Sequence, residues 1–516
     1  MMSLIYMLIK YVALILVLYV LYLVNWLVIT PYRTRQFFKK YSNIKMTDKF
    51  YPLIGDIALW TENMKNGYGI FHHYIKEVAE NPDTDFRLLQ LGERVILDVA
   101  STKAMDELEK QIPSKIDRGE PKHTATEHIM TASFPLLRST EDMNKRKKAT
   151  IDFLGINRAS RHIPNMINSV DAYVESLKPG QEVNFSQSIK YVSFENISTH
   201  ILGEDYKSVN MEFEYVCPET GEVSNISFPD FFIRLSTSEL AAYTNPMTKI
   251  LKPLADRYLI EPYKTNNRNN LYMRKRLFEL LQASKDPNSM FKTFMKTGEF
   301  NSDDSIMDTI SMIFAGFDTT SITVTSLLYF VKANPKIHQK LMDEIRKHKL
   351  DRVEEINPGD LLDAFQNCDY LSYVVKEITR YDVPIPITLT YKAYEDTEIC
   401  GVAIPKGQEL IMGIPYVHFN PKEWHRPTEL IPERFDPESE LFFKPGTKSM
   451  RHPKSWNVFS TGKRKCAGQT LAMLSAKVML VRLLTKLDFD IKKELLDREK
   501  ACFDMFSGTS LIIKIK

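Results

Sequence analysis

Cys466 sits between two glycines in Phe459-Ser-Thr-Gly462-Lys-Arg464-Lys-Cys466-Ala-Gly468, and QTLAMLSAKVMLVRLL follows without a helix breaker. The glycines let the backbone approach a flat group closely and adopt dihedrals that other residues avoid. The cysteine falls at or just before a helix N-terminus, with Arg464 and two lysines beside it, and such surroundings favour a thiolate over a thiol. A thiolate so held is a good axial ligand for a haem iron, and Arg464 could meet a propionate. The bland alternative for a lone cysteine is an inert buried side chain. Phe459, Gly462, Arg464 and Gly468 in fixed register around it point away from that alternative. The remaining cysteines, at 217, 368, 400 and 502, form no CxxC pair. A disulfide framework or zinc cluster is therefore not expected, and a reducing compartment fits better.

A second chemical stretch is Ala315-Gly316-Phe317-Asp318-Thr319-Thr320-Ser321, inside an apolar helix predicted from about Ser305 to Ala333 and closed by Pro335. Glycine costs roughly 1 kcal/mol in a helix interior, adjacent β-branched threonines add strain, and buried polar groups need partners. A local opening of the helix beside a reacting oxygen would use both features. Thr319 would then hold a water or hydroperoxide and Asp318 would sponsor proton delivery. A helix with a polar solvent stripe would carry the same residues. Two further signals are weak alone: Glu377 and Arg380, three apart on one helix face, and Pro432-Glu433-Arg434-Phe435 after a turn-rich segment beginning at His418. Exposed ion pairs of that kind are common and contribute little.

The elements that must position these residues are mostly helical. Ala104–Gln111, Asn165–Leu177 and Ile337–Lys349 carry apolar residues at helical spacing, and residues from about 60 to 380 read as predominantly helix. From Ile385 onwards β-branched runs broken by Gly401 and Pro405-Lys406-Gly407 predict short strands, and SLIIKIK alternates like a final strand. The fold class is mainly α with minor β.

Composition bounds the function classes. The 516 residues are 44% hydrophobic and 26% charged, ordinary for a globular chain with ample core. A formal charge of +3, from 68 Lys+Arg against 65 Asp+Glu, argues against a nucleic-acid partner. The N-terminus is the anomaly: Tyr11 to Ile29 is apolar except for Asn25. That is about 28 Å of helix, the thickness of a bilayer core. Arg33, Arg35, Lys39 and Lys40 follow it and favour the cytosolic side. The expected organisation is a transmembrane anchor over residues 4–30, a basic, proline-containing linker along the membrane over 31–56, and a catalytic domain over 57–516. A cleaved signal peptide is the alternative, but no small-x-small cleavage site precedes Pro31.

The order of these motifs resembles the eukaryotic membrane-anchored cytochrome P-450 family of haem-thiolate monooxygenases. The resemblance rests on the anchor, Ala-Gly-x-Asp-Thr-Thr at 315–320, Glu-x-x-Arg at 377–380, Pro-Glu-Arg-Phe at 432–435 and Phe-x-x-Gly-x-Arg-x-Cys-x-Gly at 459–468. It implies the P-450 fold, a thiolate-ligated haem b with Cys466 as axial ligand, and a propionate contact from Arg464. Thr319 and Asp318 would manage protons, and Glu377, Arg380 and Arg434 would form a buried network shaping the cysteine loop. Met143 stands where the family usually has a propionate-binding tryptophan, with Lys147 at the expected basic position, and Tyr391-Lys392 replaces a common arginine. Ala315 lines the haem side of the helix and leaves no glutamate there for a covalent haem ester. Phe317, Thr320 and residues 385–389 would contribute to the pocket, with lid segments near 120–135 and 205–260. The implied activity is insertion of one oxygen atom from O2 into a lipophilic substrate. Electrons would come from NADPH-cytochrome reductase, with cytochrome b5 as a second donor, at the cytosolic side of the endoplasmic reticulum membrane. The competing class is a peroxide isomerase or dehydratase, or a non-catalytic haem protein, of the same fold. The basic run Lys145, Arg146, Lys147 and Lys148, with Lys463 and Lys465, offers a docking face for an acidic reductase.

Overall fold

The computed structural model describes the chain except residues 1, 48–49, 66–68, 70, 120–126, 131, 204–205, 207–211, 245–259, 285, 497–501, 506 and 508. The expected anchor is helix α1 (Met2–Val24), whose apolar side chains, Leu8 and Ile15 among them, project away from the rest of the protein. A five-residue π turn, Asn25–Ile29, joins it to α2 (Thr30–Phe38) without a break in the helix. The segment 31–56, expected to be a linker, begins as helix. Most of residues 31–38 continue the rod, and Arg35 is buried, donating from Nη2 to the Thr47 carbonyl at 2.6 Å. Residues 44–46 then enter the main sheet. The basic residues read as a membrane-surface run are divided between solvent and this contact.

That sheet has six strands: β1 (Ile44–Met46), β2 (Phe86–Leu91), β3 (Arg94–Val99), β4 (Ile116–Arg118), β5 (Tyr391–Ala393) and β6 (Glu409–Met412). Their spatial order is β1-β2-β3-β6-β5-β4, so the N-terminal and C-terminal halves of the chain close on one another. β4 pairs antiparallel with β5, setting Arg118 opposite Tyr391. A three-stranded sheet joins Phe489–Ile491, Ile512–Ile515 and Glu182–Asn184, in line with the alternation of the C-terminus.

The larger core is helical. Its elements include α3 (Glu141–Phe153), α4 (Phe185–Leu202), α5 (Ser302–Ala333), α6 (Asp369–Tyr381) and α7 (Gln469–Lys486). α5 starts where the Asn301 side chain accepts from the Asp304 amide at 2.8 Å, a cap that satisfies one of the orphan N–H groups of a helix start. Although long and apolar enough to cross a bilayer, it is mostly buried inside the protein, packed on α4 and α7. Of the lid segments, 120–126, 131, 205, 207–211 and 245–259 lie outside the described residues. Between α4 and helix Phe228–Thr244 an antiparallel hairpin, Glu212–Val216 with Val223–Ser227, packs Phe213 and Tyr215 against Phe231.

Candidate active site

The cysteine loop is a tight turn folded back on itself. Gly462–Arg464 forms a single 3-10 turn, and the Cys466 amide donates to the Phe459 carbonyl at 2.8 Å, closing the loop before α7 begins. Gly462 is required on two counts: its φ is +58°, and a Cβ there would lie 2.1 Å from Oε1 of Glu109. At Gly468 the φ is ordinary, and a Cβ would come within 3.9 Å of Cys466 Sγ, so its smallness keeps the sulfur's surroundings open.

Cys466 lies just before α7, and its side chain is exposed on one side. Burial pushes its thiol above the ordinary value, against the pull of the Gly468 and Gln469 amides and of the Lys147 and Lys465 charges. Desolvation thus opposes the cations and amides that the sequence places beside the cysteine. The sequence shows the helix start and the cations but hides the desolvation cost. A coordinated metal deprotonates a thiol outright, so a bound iron would offset that desolvation.

Beside the loop lies an excess of buried positive charge. Arg464 Nη2 donates to Asp117 Oδ1 at 2.5 Å and to Ser139 Oγ at 2.6 Å, while its Nε has no partner among the described residues. Arg118, also buried, donates to the carbonyls of Pro135 and Leu389 and lies 4.6 Å over the Tyr391 ring. Lys147 Nζ donates to the Lys463 carbonyl at 2.5 Å. Burial first, then Arg464 and Arg118, lowers Lys147 to about 8. Arg464 pairs with the Asp117 carboxylate, whose charge Arg118 also feels, while Lys147 lies in the field of both guanidinium groups. Buried charge demands pairing, and the two carboxylates of a haem are the anions this donor set fits. Sequence reading missed Arg118, which sits in a three-residue strand with no motif. It stands opposite Tyr391, the position at which the family's arginine is absent.

α5 carries the expected residues on an accessible stretch of an otherwise buried helix. Thr319 Oγ1 donates to the Ala315 carbonyl at 2.7 Å and Thr323 Oγ1 to the Thr319 carbonyl at 2.8 Å. The anticipated local opening is absent, since the helix is unbroken from Ser302 to Ala333. Gly316 serves packing instead: a Cβ there would lie 2.5 Å from Cγ1 of Ile197 on α4. Phe317, expected in the pocket, is fully buried against Phe194 and Phe232. Ala315, Thr319 and Thr320 remain partly accessible, as does Ile385. Asp318 Oδ1 pairs with Lys190 Nζ of α4 at 2.8 Å, a partner no motif announced.

Behind the loop, the three-residue network is present and fully buried. Glu377 is gripped by Arg380 through two bonds of 2.9 Å and by Arg434 Nη1 at 3.1 Å. Arg380 also donates to the carbonyls of His418 and Pro427, fixing the turn-rich segment. His418 is the missed member. Its Nδ1 donates to the Arg380 carbonyl and its Nε2 accepts from the Asn457 amide, both at 2.9 Å. The network thereby reaches the chain just before Phe459. Burial, and then the Arg380 charge, lowers His418 to about 3, so it stays neutral.

Comparison with known proteins agrees with this arrangement. The family model described as cytochrome P450 matches residues 49–511. Cytochrome P450 3A5 of Homo sapiens is 34% identical over 185 residues, 36% of this chain and 34% of its own length. Cytochrome P450 4p1 of Drosophila melanogaster is 32% identical over 194 residues, 37% and 35%. The chain thus matches about a third of the length of these curated relatives. Among solved structures, the retinoic acid bound cyanobacterial CYP120A1 superposes with a TM-score of 0.65 at 15% identity, covering 86% of this chain and 93% of that one. That likeness shows the fold. The loop presents one cysteine at a helix start, backed by a buried Glu-Arg-Arg network and flanked by a cluster of cations, in a chain that one family model matches over nearly its whole length, and the protein belongs to the cytochrome P450 family.

Proposed function

We propose that this protein is a membrane-anchored haem-thiolate monooxygenase acting on a lipophilic substrate at the cytosolic face of the endoplasmic reticulum, with electrons from NADPH-cytochrome reductase and cytochrome b5 as a second donor. The observation that carries the reading is the pair Asp318 and Thr319 on the accessible stretch of α5. An acid and a hydroxyl side by side suit the proton supply that reductive oxygen cleavage needs. An isomerase or dehydratase has less need of such a supply.

When bound, haem would supply the redox-active iron at which dioxygen is reduced. Cys466 Sγ would ligate its iron, with Phe459, Gly462 and Gly468 shaping the loop. Arg464, Arg118 and Lys147 would hold the propionates. Thr319 Oγ1 donates to Ala315 O, which leaves its lone pairs to accept from a water. Asp318 would pass a proton inward when it turns from Lys190. Ala315, Thr320 and Ile385 would contribute to the lining of the chamber for a lipophilic substrate.

For the reductase, Lys145, Lys148, Lys463 and Lys465 are exposed. The Lys147 bond to Lys463 O brings α3 and the cysteine loop together, which supports a single basic docking face. The test is product formation from NADPH and purified reductase across a panel of lipids and steroids. Product that requires both supports the proposal. Conversion of a lipid hydroperoxide without reductase, and none with NADPH, overturns it in favour of an isomerase.

A further inference from the structure

Arg146 lies within the basic run of α3 yet points inward and is 1% exposed. Its guanidinium grips Asp308 of α5 through two bonds, Nε to Oδ2 at 2.7 Å and Nη2 to Oδ1 at 2.8 Å. Nη1 reaches Asp304 at 2.9 Å. The same pair holds a third piece of chain. Arg146 Nη2 donates to the Ala132 carbonyl at 2.8 Å, and the Phe134 amide donates to Asp308 Oδ1 at 2.9 Å. Ala132 has a φ of +65°, a conformation that is strained for an alanine and persists only where its surroundings over-determine it.

Asp308 precedes Ala315 by seven residues and Thr319 by eleven. At 100° per residue both lie within about 20° of its own direction, two to three turns along the same helix face. The segment 132–139 therefore crosses α5 about 10 Å from Ala315 on the side that faces the reaction chamber. Its far end is tied to the cation cluster: Pro135 O accepts from Arg118, Ser139 N donates to Asp117, and Ser139 Oγ accepts from Arg464.

We infer that the Arg146–Asp308 pair is a positioning pair that clamps segment 132–139 against α5 and so sets the size and selectivity of the chamber. The inference rests on reading the space beside Cys466 as the haem chamber, and it does not depend on which reaction follows. A charge-assisted bond to each end of the strap fixes a loop that would otherwise move, and buried pairs specify one arrangement where apolar packing tolerates several. Phe134 and Leu136, both buried, ride on this strap, so its position would bear on the space along this face of α5.

The test uses haem-loaded full-length Asp308→Ala and Asp308→Asn, checked by the absorption band of the reduced carbonyl complex. Amide exchange over 132–139 should accelerate by about ten- to hundredfold in the alanine variant and less in the asparagine variant, with the helices unchanged. Spectral titration with imidazole and with the bulky N-trityl imidazole clotrimazole should show the ratio of their dissociation constants shifting by about fivefold or more, with imidazole nearly unaffected. If the alanine variant yields no haem-loaded protein, the asparagine variant decides on the same two measurements. Unchanged strap exchange and an unchanged ratio in a haem-loaded variant overturn the inference. Exchange accelerated equally throughout the helices also overturns it, because the pair would then be a general core contact. Neither readout needs turnover, so failure of the monooxygenase reading leaves the test intact.

Discussion

Burial and the guanidinium groups of Arg464 and Arg118 bring the Lys147 ammonium down to about 8 from its ordinary 10.5. Without an anion beside it, Lys147 loses its proton as pH rises through 8, whereas a propionate would favour the ammonium and raise its value again. Haem binding is then coupled to a protonated Lys147. This contribution to affinity is fully present below about pH 8 and fades above it. Cys466 acts in the opposite sense, because the thiol must lose its proton to ligate iron. Comparing wild type with Lys147→Gln cancels the cysteine. The ratio of their haem affinities should be largest at about pH 7 and shrink toward one by about pH 10. A flat ratio removes Lys147 from the propionate site. At Thr319 the prediction concerns coupling. Thr319→Ala should keep the normal haem spectrum but divert consumed NADPH into hydrogen peroxide, and Thr319→Ser should restore product. Peroxide yield per NADPH measures it, and unchanged coupling excludes Thr319 from proton handling.

Between elements, Gly316 sets how closely α5 approaches α4. Alanine there gains about 1 kcal/mol of helix propensity but forces a methyl into the Ile197 side chain, and such overpacking costs about 1–3 kcal/mol. The clash wins, because Ile197 Cβ as well as its tip is close, at 3.3 Å. Gly316→Ala should therefore destabilise the protein, and adding Ile197→Ala should recover part of the loss in a double-mutant cycle of thermal or denaturant unfolding. Additive effects would mean the two helices do not meet as described. Between α6 and the segment that precedes the cysteine loop, the deciding group is Glu377. Its removal leaves Arg380 and Arg434 buried without their carboxylate, at a cost of about 3–5 kcal/mol, a large share of typical domain stability. Glu377→Ala should yield little haem-loaded protein. Normal expression and haem content in that variant would show that the pair is dispensable.

For the molecule as a whole, the charge is nearly balanced, so a basic face must come from arrangement. Lys145 is engaged with Glu141 one turn earlier, and Lys148 is exposed on the same helix. Arg146 is withdrawn into the interior and Lys147 into the cysteine loop, which leaves Lys148, Lys463 and Lys465 as the charges open to a partner. Reversing two of them, Lys148→Glu with Lys465→Glu, should slow first-electron transfer from the reductase. It should also flatten the dependence on salt, since steering by exposed charges is screened over about 10 Å at 0.1 M. Equal rates and equal salt slopes in variant and wild type would move the docking site elsewhere. Substrate binding spectra should not change.

The sequence by itself determined the parts whose signals are local. The α5 stretch, the Glu377–Arg380 spacing, the register around Cys466 and the alternating C-terminal strand are written in consecutive residues, because helical and strand periodicities are properties of a short window. The apolar N-terminal run was legible for the same reason. What the tertiary structure decided depends on residues far apart in the chain. The hairpin Phe86–Val99 lies in a stretch that reads as mainly helical, and its strands are fixed by pairing with β1 and β6. Arg118 joins the cation cluster only because β4 pairs with β5, more than 270 residues later. His418 links Arg380 to Asn457 only once the turn-rich segment has folded under α6. The direction of each basic side chain in α3 was equally invisible: four consecutive cations look alike in sequence, and only packing turns Arg146 toward Asp308. Desolvation is the clearest case. The charges around Cys466 can be counted in the sequence, but the desolvation that opposes them depends on how the surrounding chain packs around the loop.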